Sequence, residues 1–408
     1  MRYVFVALLS AAMPSFAFAQ PLTFEDALSR AETAPSVQAR SLDVEARRAT
    51  AIAAGRLPDP KLGVGLDNFP VSGPPAFTYA GDSMTMARVG ISQDVPNAAK
   101  RHAQQGRAQA DIAAAEANGV AEARRVRVAA ALAWIDLYYA GRRLAVIDAI
   151  IARQNGLAVA ARSGVASGSA RPAQTLDIRQ AIAALEDRRS EVAADAVRAC
   201  SMLARWTGDA NPEVVGTIPD FAINPSGLRE AVDQHPDLNA AMARTRQAEA
   251  DVTAARATKR PDWSFDVAYQ RRADRYGDMV SAGVTISLPL FAGTRQDPMI
   301  AASSASASAA LAEQEDMRRA LAADLQAGIA DHVMHHEQWM RSRNDLLPLA
   351  RQQVDLEIAS YSAGRAGLLD VIQAQTMLAN TEIETLDREA LVARDGARLV
   401  LTYGSDRR

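Results

Sequence analysis

The chain of 408 residues has one cysteine, Cys200, so it can form no internal disulfide and nothing covalent staples the fold. Aromatic residues are scarce, at 5%, although apolar residues make up 49%; alanine supplies much of the apolar count, and it favours helix and close helix packing. Charge of one sign is missing too. The formal net charge is -3, with both signs interspersed along the helical stretches, so no basic footprint for a nucleic acid is present. No glycine-rich phosphate loop, Gly-x-Ser-x-Gly elbow or histidine-rich site with convergent carboxylates occurs, and neither an enzymatic role nor a cofactor is expected. Acid pairs such as Glu25-Asp26 and Glu186-Asp187 stand among arginines and read as solvated or ion-paired helix faces. No apolar run reaches the ~20 residues that a bilayer-spanning helix needs.

The N-terminus carries a shorter apolar run, Tyr3 to Met13 behind Arg2, and then Ala17-Phe18-Ala19, small residues at the two positions a signal peptidase reads. Residues 1–19 are therefore expected to be a signal peptide cleaved before Gln20, and the mature chain to be exported. Gln20 is not a cysteine, so no lipid attachment point is expected there. Cys200 lies in a helical run and reads as a small buried side chain.

What the chain does have is strict alternation in two places. Trp263, Phe265, Val267 and Tyr269 alternate with Ser264, Asp266, Ala268 and Gln270; Val280, Ala282, Val284, Ile286 and Leu288 alternate with Ser281, Gly283, Thr285 and Ser287. In the first half Leu62, Val64 and Leu66 alternate with Gly63, Gly65 and Asp67, and Ala87, Val89 and Ile91 with Arg88, Gly90 and Ser92. Period two with one greasy and one wet face predicts strands at 62–69, 85–95, 263–270 and 279–290. A sandwich strand alternates as well, but its inner residues need a second sheet, and four strands cannot bury themselves. A barrel completed by other copies of the chain satisfies every edge, with apolar side chains toward lipid and small polar ones toward a lumen.

Around each couplet the same parts recur. Thr23 and Asp26 suggest a capped helix to about Ala34, and a second helix follows Pro35 to about Gly55. After Pro96, Asn97 to about Arg162 reads as one helix, which at 1.5 Å per residue would extend roughly 95 Å. A turn over Ser163 to Gly168 and a return helix to about Arg205 complete the first half. The stretch Gly208 to Gly227, with Pro212, Pro219 and Pro225, reads as the connection. The second half repeats the plan, with a long helix from about Arg295, a turn at Gly364 to Gly367 and a last helix to about Val400. Gly168 and Gly364, and Gly208 and Gly404, are both offset by 196. The expected organisation is a first repeat over 20–216 and a second over 217–408.

Ser287-Leu288-Pro289-Leu290-Phe291-Ala292-Gly293 after a strand, Tyr361-Ser362-Ala363-Gly364 followed by Leu369-Asp370-Val371, and the two tandem halves together resemble the TolC-type outer-membrane efflux family over essentially all of the mature chain. Gln93-Asp94-Val95-Pro96 with Lys100-Arg101, and Met84-Thr85-Met86, further resemble its heavy-metal efflux branch. The resemblance implies a mainly α chain with a transmembrane β-barrel portion, four strands per protomer in a homotrimeric twelve-stranded barrel, and a long periplasmic α-helical tunnel. It implies an outer-membrane location, a periplasmic adaptor and an inner-membrane pump as partners, and heavy-metal cations as favoured cargo. Small organic toxins or a secreted protein are the alternative cargo. It also implies adaptor contact at the helix turns, through Arg162, Gly164 and Gly168 in one half and Tyr361, Gly364 and Arg365 in the other. Asp370 matches the family's pore-lining aspartate. The second acidic position is Gln373 here, and the first-half equivalent of Asp370 is Gln174, so the constriction would carry less charge. The plainer alternatives are that the glycines merely make turns and that Asp370 is an exposed helix-face acid.

His332 and His336 lie four apart, near Met334, His335, Trp339 and Met340, but two histidines without a third ligand are an incomplete metal shell, and helix-face packing or solvent exposure is expected. Met84 and Met86 read as lipid-edge or loop hydrophobes before soft metal ligands. An exported coiled-coil scaffold would explain the long helices equally well; it would leave Trp263, Phe265, Val267 and Tyr269 without a covering sheet.

Overall fold

The computed structural model describes residues 21–166 and 172–404, so the expected signal peptide and Gly168 lie outside the described residues. The chain is mostly helical. In order it runs β1 (Pro21–Leu22), α1 (Phe24–Ala31), α2 (Pro35–Ala53), β2 (Lys61–Asp67), β3 (Met86–Val95), α3 (Ala98–Ala166), α4 (Pro172–Thr207), β4 (Glu213–Val214), α5 (Pro225–Ala231), α6 (Pro236–Ala257), β5 (Asp262–Arg271), β6 (Met279–Ser287), α7 (Gln296–Arg341), α8 (Leu347–Ser362) and α9 (Leu368–Tyr403).

Proline sets several of these boundaries. Helices α2, α4, α5 and α6 each begin on a proline, Pro35, Pro172, Pro225 and Pro236, whose missing N–H is one the first turn would leave unused anyway. The Thr23 oxygen accepts the Asp26 N–H at 3.2 Å and its hydroxyl donates to the Asp26 carboxylate at 2.7 Å, which starts α1. Pro348 acts differently, because it falls inside a helical run. Having no N–H, it leaves the Asn344 carbonyl without its donor, and the chain widens into one π turn over Ser342–Leu346 between α7 and α8. The single long second-half helix expected from about Arg295 is thus two helices with an insertion.

The chain forms two compact units, each drawing on both halves of the sequence. One comprises the described parts of Met1–Pro35, Ala123–Glu230 and Asp324–Arg408; the other comprises Ser36–Glu122 and Ala231–Ala323. The first, the helical unit, is organised around Trp134, whose indole N–H donates to the Leu22 carbonyl at 2.9 Å and whose ring packs edge-on against Phe24 at 5.5 Å. Leu22, Leu28, Ile135, Tyr139, Leu203 and Ala397 complete that core. The short parallel pair β1·β4 matches Leu22 with Val214. A second cluster joins α3, α4 and α9 through Ile147, Ile150, Val192 and Ile383.

Three local expectations are corrected. Ser163 and Gly164 are helical, because α3 continues to Ala166, so the first turn cannot begin at Ser163. Cys200 is half-buried on α4, not buried. Among the described residues α3 also contains a stretch long and apolar enough for a bilayer, which the sequence reading did not find; part of its apolar surface belongs to the Trp134 core.

The sheet-bearing unit holds one antiparallel sheet in the order β2-β3-β5-β6. Gly55, with φ +70, ends α2 where a Cβ would meet the Arg101 carbonyl oxygen at 2.6 Å. Asn97 starts α3: its side chain accepts the Lys100 N–H at 2.8 Å, while its own N–H donates to the Asp262 carboxylate at 2.8 Å. Lys100 reaches the same carboxylate at 3.1 Å, so the start of β5 and the start of α3 are tied by one acid.

Candidate functional site

The sheet collects the large apolar residues of the four alternating segments on one side, leaving Ala268, with Met86 and Met279 at strand ends, on the other. Val64 stands opposite Val89, Val89 opposite Tyr269 and Tyr269 opposite Val280; one rung further, Leu62, Ile91, Val267 and Ala282 line up likewise. These side chains face out, Val64 being 76% exposed, Val280 72% and Val267 56%. Trp263 and Tyr269 lie toward opposite ends of β5. Gln93 and Arg271 are polar exceptions on this side, opposite Phe265 and Ala87; the Gln93 amide is spent on the Pro58 and Asp94 carbonyls at 2.8 and 2.9 Å. The other side carries Gly63, Gly65, Arg88, Gly90, Ser92, Asp266, Gln270, Ser281, Gly283 and Thr285. Lys61 pairs there with Asp94 at 2.7 Å. Glycine clears space for the one central acid: a Cβ at Gly283 would meet the Asp266 carboxylate oxygen at 2.5 Å.

The strands differ from the expected ranges at their ends. β6 stops at Ser287, and Leu288, Leu290 and Phe291 follow it as exposed apolar residues in a turn held by the Leu290 N–H to the Leu288 carbonyl at 2.9 Å. Met84 is exposed in the loop before β3, and Met86 is the first residue of β3, opposite Asp67.

In the helical unit the turn between α8 and α9 has a defined geometry. Gly364, with φ +68, takes the left-handed position; its N–H donates to the Tyr361 carbonyl at 2.9 Å, and the Arg365 N–H donates to the Ser360 carbonyl at 2.9 Å. Tyr361, Gly364 and Arg365 are all exposed. The Asp370 carboxylate accepts the Gly367 N–H at 2.7 Å, satisfying a donor at the start of α9, where a negative charge is also favoured by the helix dipole. Sequence reasoning missed this capping role, although the three-residue spacing from Gly367 signalled it. Asp370 and Gln373 are exposed on the same face of α9. Gln174 lies in α4, and its side chain is outside the described residues.

Leu368 and Ile372 at the start of α9 pack with Ala161 near the end of α3 and Ile178 near the start of α4. The residues expected at the two tips, Arg162 and Gly164 on one side and Tyr361, Gly364 and Arg365 on the other, therefore flank a shared core within this unit. Arg162 folds its guanidinium back onto the Ala158 carbonyl at 3.2 Å.

The histidine-rich face of α7 is a packed one. His335 Nδ1 lies 2.6 Å from the Asp395 carboxylate, the His332 and His336 rings are 6.2 Å apart, and His336 meets the Trp339 ring edge-on at 5.7 Å. Burial pushes the His332 pKa down, against the opposing pull of Asp395. Among the described residues no group of three or more His, Cys, Asp or Glu side chains is placed to hold a metal ion.

Residues 227–405 match the model of the outer membrane efflux protein family. Outer membrane efflux proteins are channel proteins, not enzymes. No curated relative matches the chain. Solved structures share its fold along nearly the whole length. A membrane protein from Pseudomonas aeruginosa is 19% identical, with a TM-score of 0.82 over 94% of this chain and 90% of its own. CusC, solved in a study of folding and transmembrane channel formation, is 15% identical, with a TM-score of 0.82 over 98% of this chain and 99% of its own. The CmeC outer membrane channel of Campylobacter jejuni is 12% identical, with a TM-score of 0.79 over 93% of this chain and 85% of its own.

Proposed function

We propose that the chain is the outer-membrane duct of a tripartite efflux system, passively conducting cargo handed over by an inner-membrane pump and a periplasmic adaptor. The observation that carries this reading is the outward apolar side of the four-stranded sheet. In water such a surface is an aggregation hazard; in a bilayer it is the expected exterior of a barrel.

The strand order supports closure by copies of the chain. Four consecutive antiparallel strands put β2 and β6 in opposite directions, so β6 of one copy beside β2 of the next continues the alternation. Three copies close twelve strands, an even number as such barrels require. Strands β3, β5 and β6, of 10, 10 and 9 residues, have the length of a tilted membrane strand, ~9–11 residues. The efflux-family match over 227–405 supports the same assignment.

Within this reading Tyr361, Gly364 and Arg365, with Arg162, Gly164 and Gly168, contact the adaptor, and Asp370, with Gln373 and Gln174 nearby, lines the constriction. The favoured cargo is a heavy-metal cation, on the Gln93 to Pro96 and Lys100-Arg101 resemblance. Gln93, Asp94 and Lys100 are also engaged in bonds that hold strand and helix starts together, so the cargo needs its own test.

Membrane fractionation and planar-bilayer recording test the duct: the protein should stay with the outer membrane in high salt and open ion-conducting channels. A soluble, non-conducting product refutes it. Deletion in a strain without a redundant duct should lower tolerance to copper, zinc, cobalt or silver; unchanged tolerance to all four removes the metal cargo and leaves the duct standing.

A further inference from the structure

We propose that the loop between β2 and β3 is an interfacial anchor that lays Val71 and Phe77 into the lipid at the outer end of the barrel. This inference rests on the duct reading above. Helices α2, α3, α6 and α7 all join the sheet at one end, so the β2–β3 and β5–β6 connections lie together at the other. In a duct with a periplasmic tunnel, that other end faces outward.

The two connections differ in composition. From Asn68 to Gly81 the first has no charged residue, whereas the second carries Arg272, Asp274, Arg275 and Asp278. Val71 is 69% exposed and Phe77 73%. The stretch from Asn68 to Thr85 is also longer than the ~12–15 residues beyond which an irregular connection usually serves a function. It is nevertheless held in shape. The Phe77 N–H donates to the Pro70 carbonyl at 2.9 Å and the Ala76 N–H to the Gly73 carbonyl at 3.0 Å, closing the tip. The Tyr79 hydroxyl fixes the base, donating to the Arg271 carbonyl at 2.5 Å and accepting the Ala87 N–H at 3.3 Å, while Arg272 and Arg275 donate to the Ser83 and Ala80 carbonyls. Phe77 has φ +57, a left-handed conformation uncommon for a bulky residue, and strain of this kind clusters where a protein binds something. Hydrogen bonds thus fix the loop while Val71 and Phe77 stay bare.

The adjacent connections offer no apolar surface to cover them. With β6 of one copy beside β2 of the next, each β2–β3 loop stands between two β5–β6 connections, its own and that of the neighbouring copy. Those present charge, and their one aromatic residue, Tyr276, already has the Arg272 and Arg275 guanidiniums over its ring at 5.7 and 4.8 Å. Lipid is left, and its boundary is close. Tyr269 and Arg271 end the apolar side of β5 at this rim, an aromatic ring and a long-stemmed cation of the kind that sits at headgroup level. The uncharged tip extends the lipid-facing surface past the strands.

The test is quenching of tryptophan fluorescence by acyl-brominated phosphatidylcholine, with the full chain reconstituted in vesicles of that lipid. Trp263, on the apolar side of β5, is the internal standard, since the other three tryptophans belong to the helical unit. The natural chain should be quenched, and Trp263→Phe should lose that quenching. Adding Phe77→Trp, or separately Val71→Trp, to Trp263→Phe should restore it, about twofold more strongly from bromines near the headgroup than from bromines near the chain ends. Tyr276→Trp in the same background should stay unquenched. Absence of quenching in both tip variants overturns the anchor: access to aqueous iodide then means that the tip stands in water, and shielding from iodide as well means that another copy covers it. Quenching of Tyr276→Trp as strong as that of the tip variants overturns the division of labour between the two connections. Equal quenching of the natural chain and Trp263→Phe removes the lipid-facing sheet, and the duct reading fails together with the anchor.

Discussion

In the helical unit Trp134, Leu203 and Leu399 are sealed inside a single copy, whereas in the sheet-bearing unit Val64, Val267 and Val280 point outward from a sheet that no described residue covers on that side. The two units use the same apolar residue types against different surroundings. One supplies its own interior; the other needs an apolar medium outside it. A water-soluble scaffold would not keep the second arrangement, so the contrast bears directly on where the protein works.

Substitutions can break or sharpen that contrast. Trp134→Ala removes a fully buried ring and its bond to the Leu22 carbonyl; a loss of about 3–5 kcal/mol is expected, read as a lower denaturant midpoint with or without lipid. Val267→Arg should cost about 2–4 kcal/mol, but only when the sheet is in a bilayer. Comparing refolding yields in lipid and in aqueous buffer checks this, and an equal penalty in both media would erase the distinction between the units. Gly364→Ala forces a Cβ into the left-handed position and should cost about 1–2 kcal/mol, lowering the melting temperature of the helical unit while sheet assembly proceeds.

Asp370→Asn weakens the charge at the start of α9 and should cost about 0.3–1 kcal/mol. If Asp370 also lines a constriction, the same variant changes cation selectivity in planar bilayers; a stability loss with unchanged selectivity would leave it as a helix cap alone. The smallest effect concerns pH. Burial holds His332 below its ordinary 6.5, so in the window between its lowered value and 6.5 the unfolded chain binds a proton that the folded chain refuses. Stability should therefore fall as pH drops through that window and be flat above it, and His332→Asn should flatten the slope in thermal melts.

Much of this architecture is legible in the residues themselves. Alternation from Trp263 to Tyr269 and from Leu62 to Leu66 marks both a strand and its greasy side, because a period of two allows one solution once a side is apolar. Gly364 announces its turn because the left-handed position favours it. The π turn was harder to foresee: Pro348 is visible, but whether a proline ends, kinks or widens a helix is decided by the neighbours that absorb the freed carbonyl. Local windows also could not reveal that Asp262 ties β5 to α3, since its partners Asn97 and Lys100 lie more than 160 residues away. The expected end of the first long helix failed for a related reason. Ser163 and Gly164 look like turn residues, yet the packing of Ala161 against Ile178 and Ile372 sustains the helix past them.

The wet side of the sheet has a consequence of its own. Gly63, Gly65, Gly90 and Gly283 project no side chain from it. In the proposed ring of three copies the bore would be lined by these bare positions together with the longer Arg88, Asp266 and Gln270 side chains. Current through such a ring would then answer to those few long side chains, and shortening Arg88 would change it more than altering a neighbouring bare position.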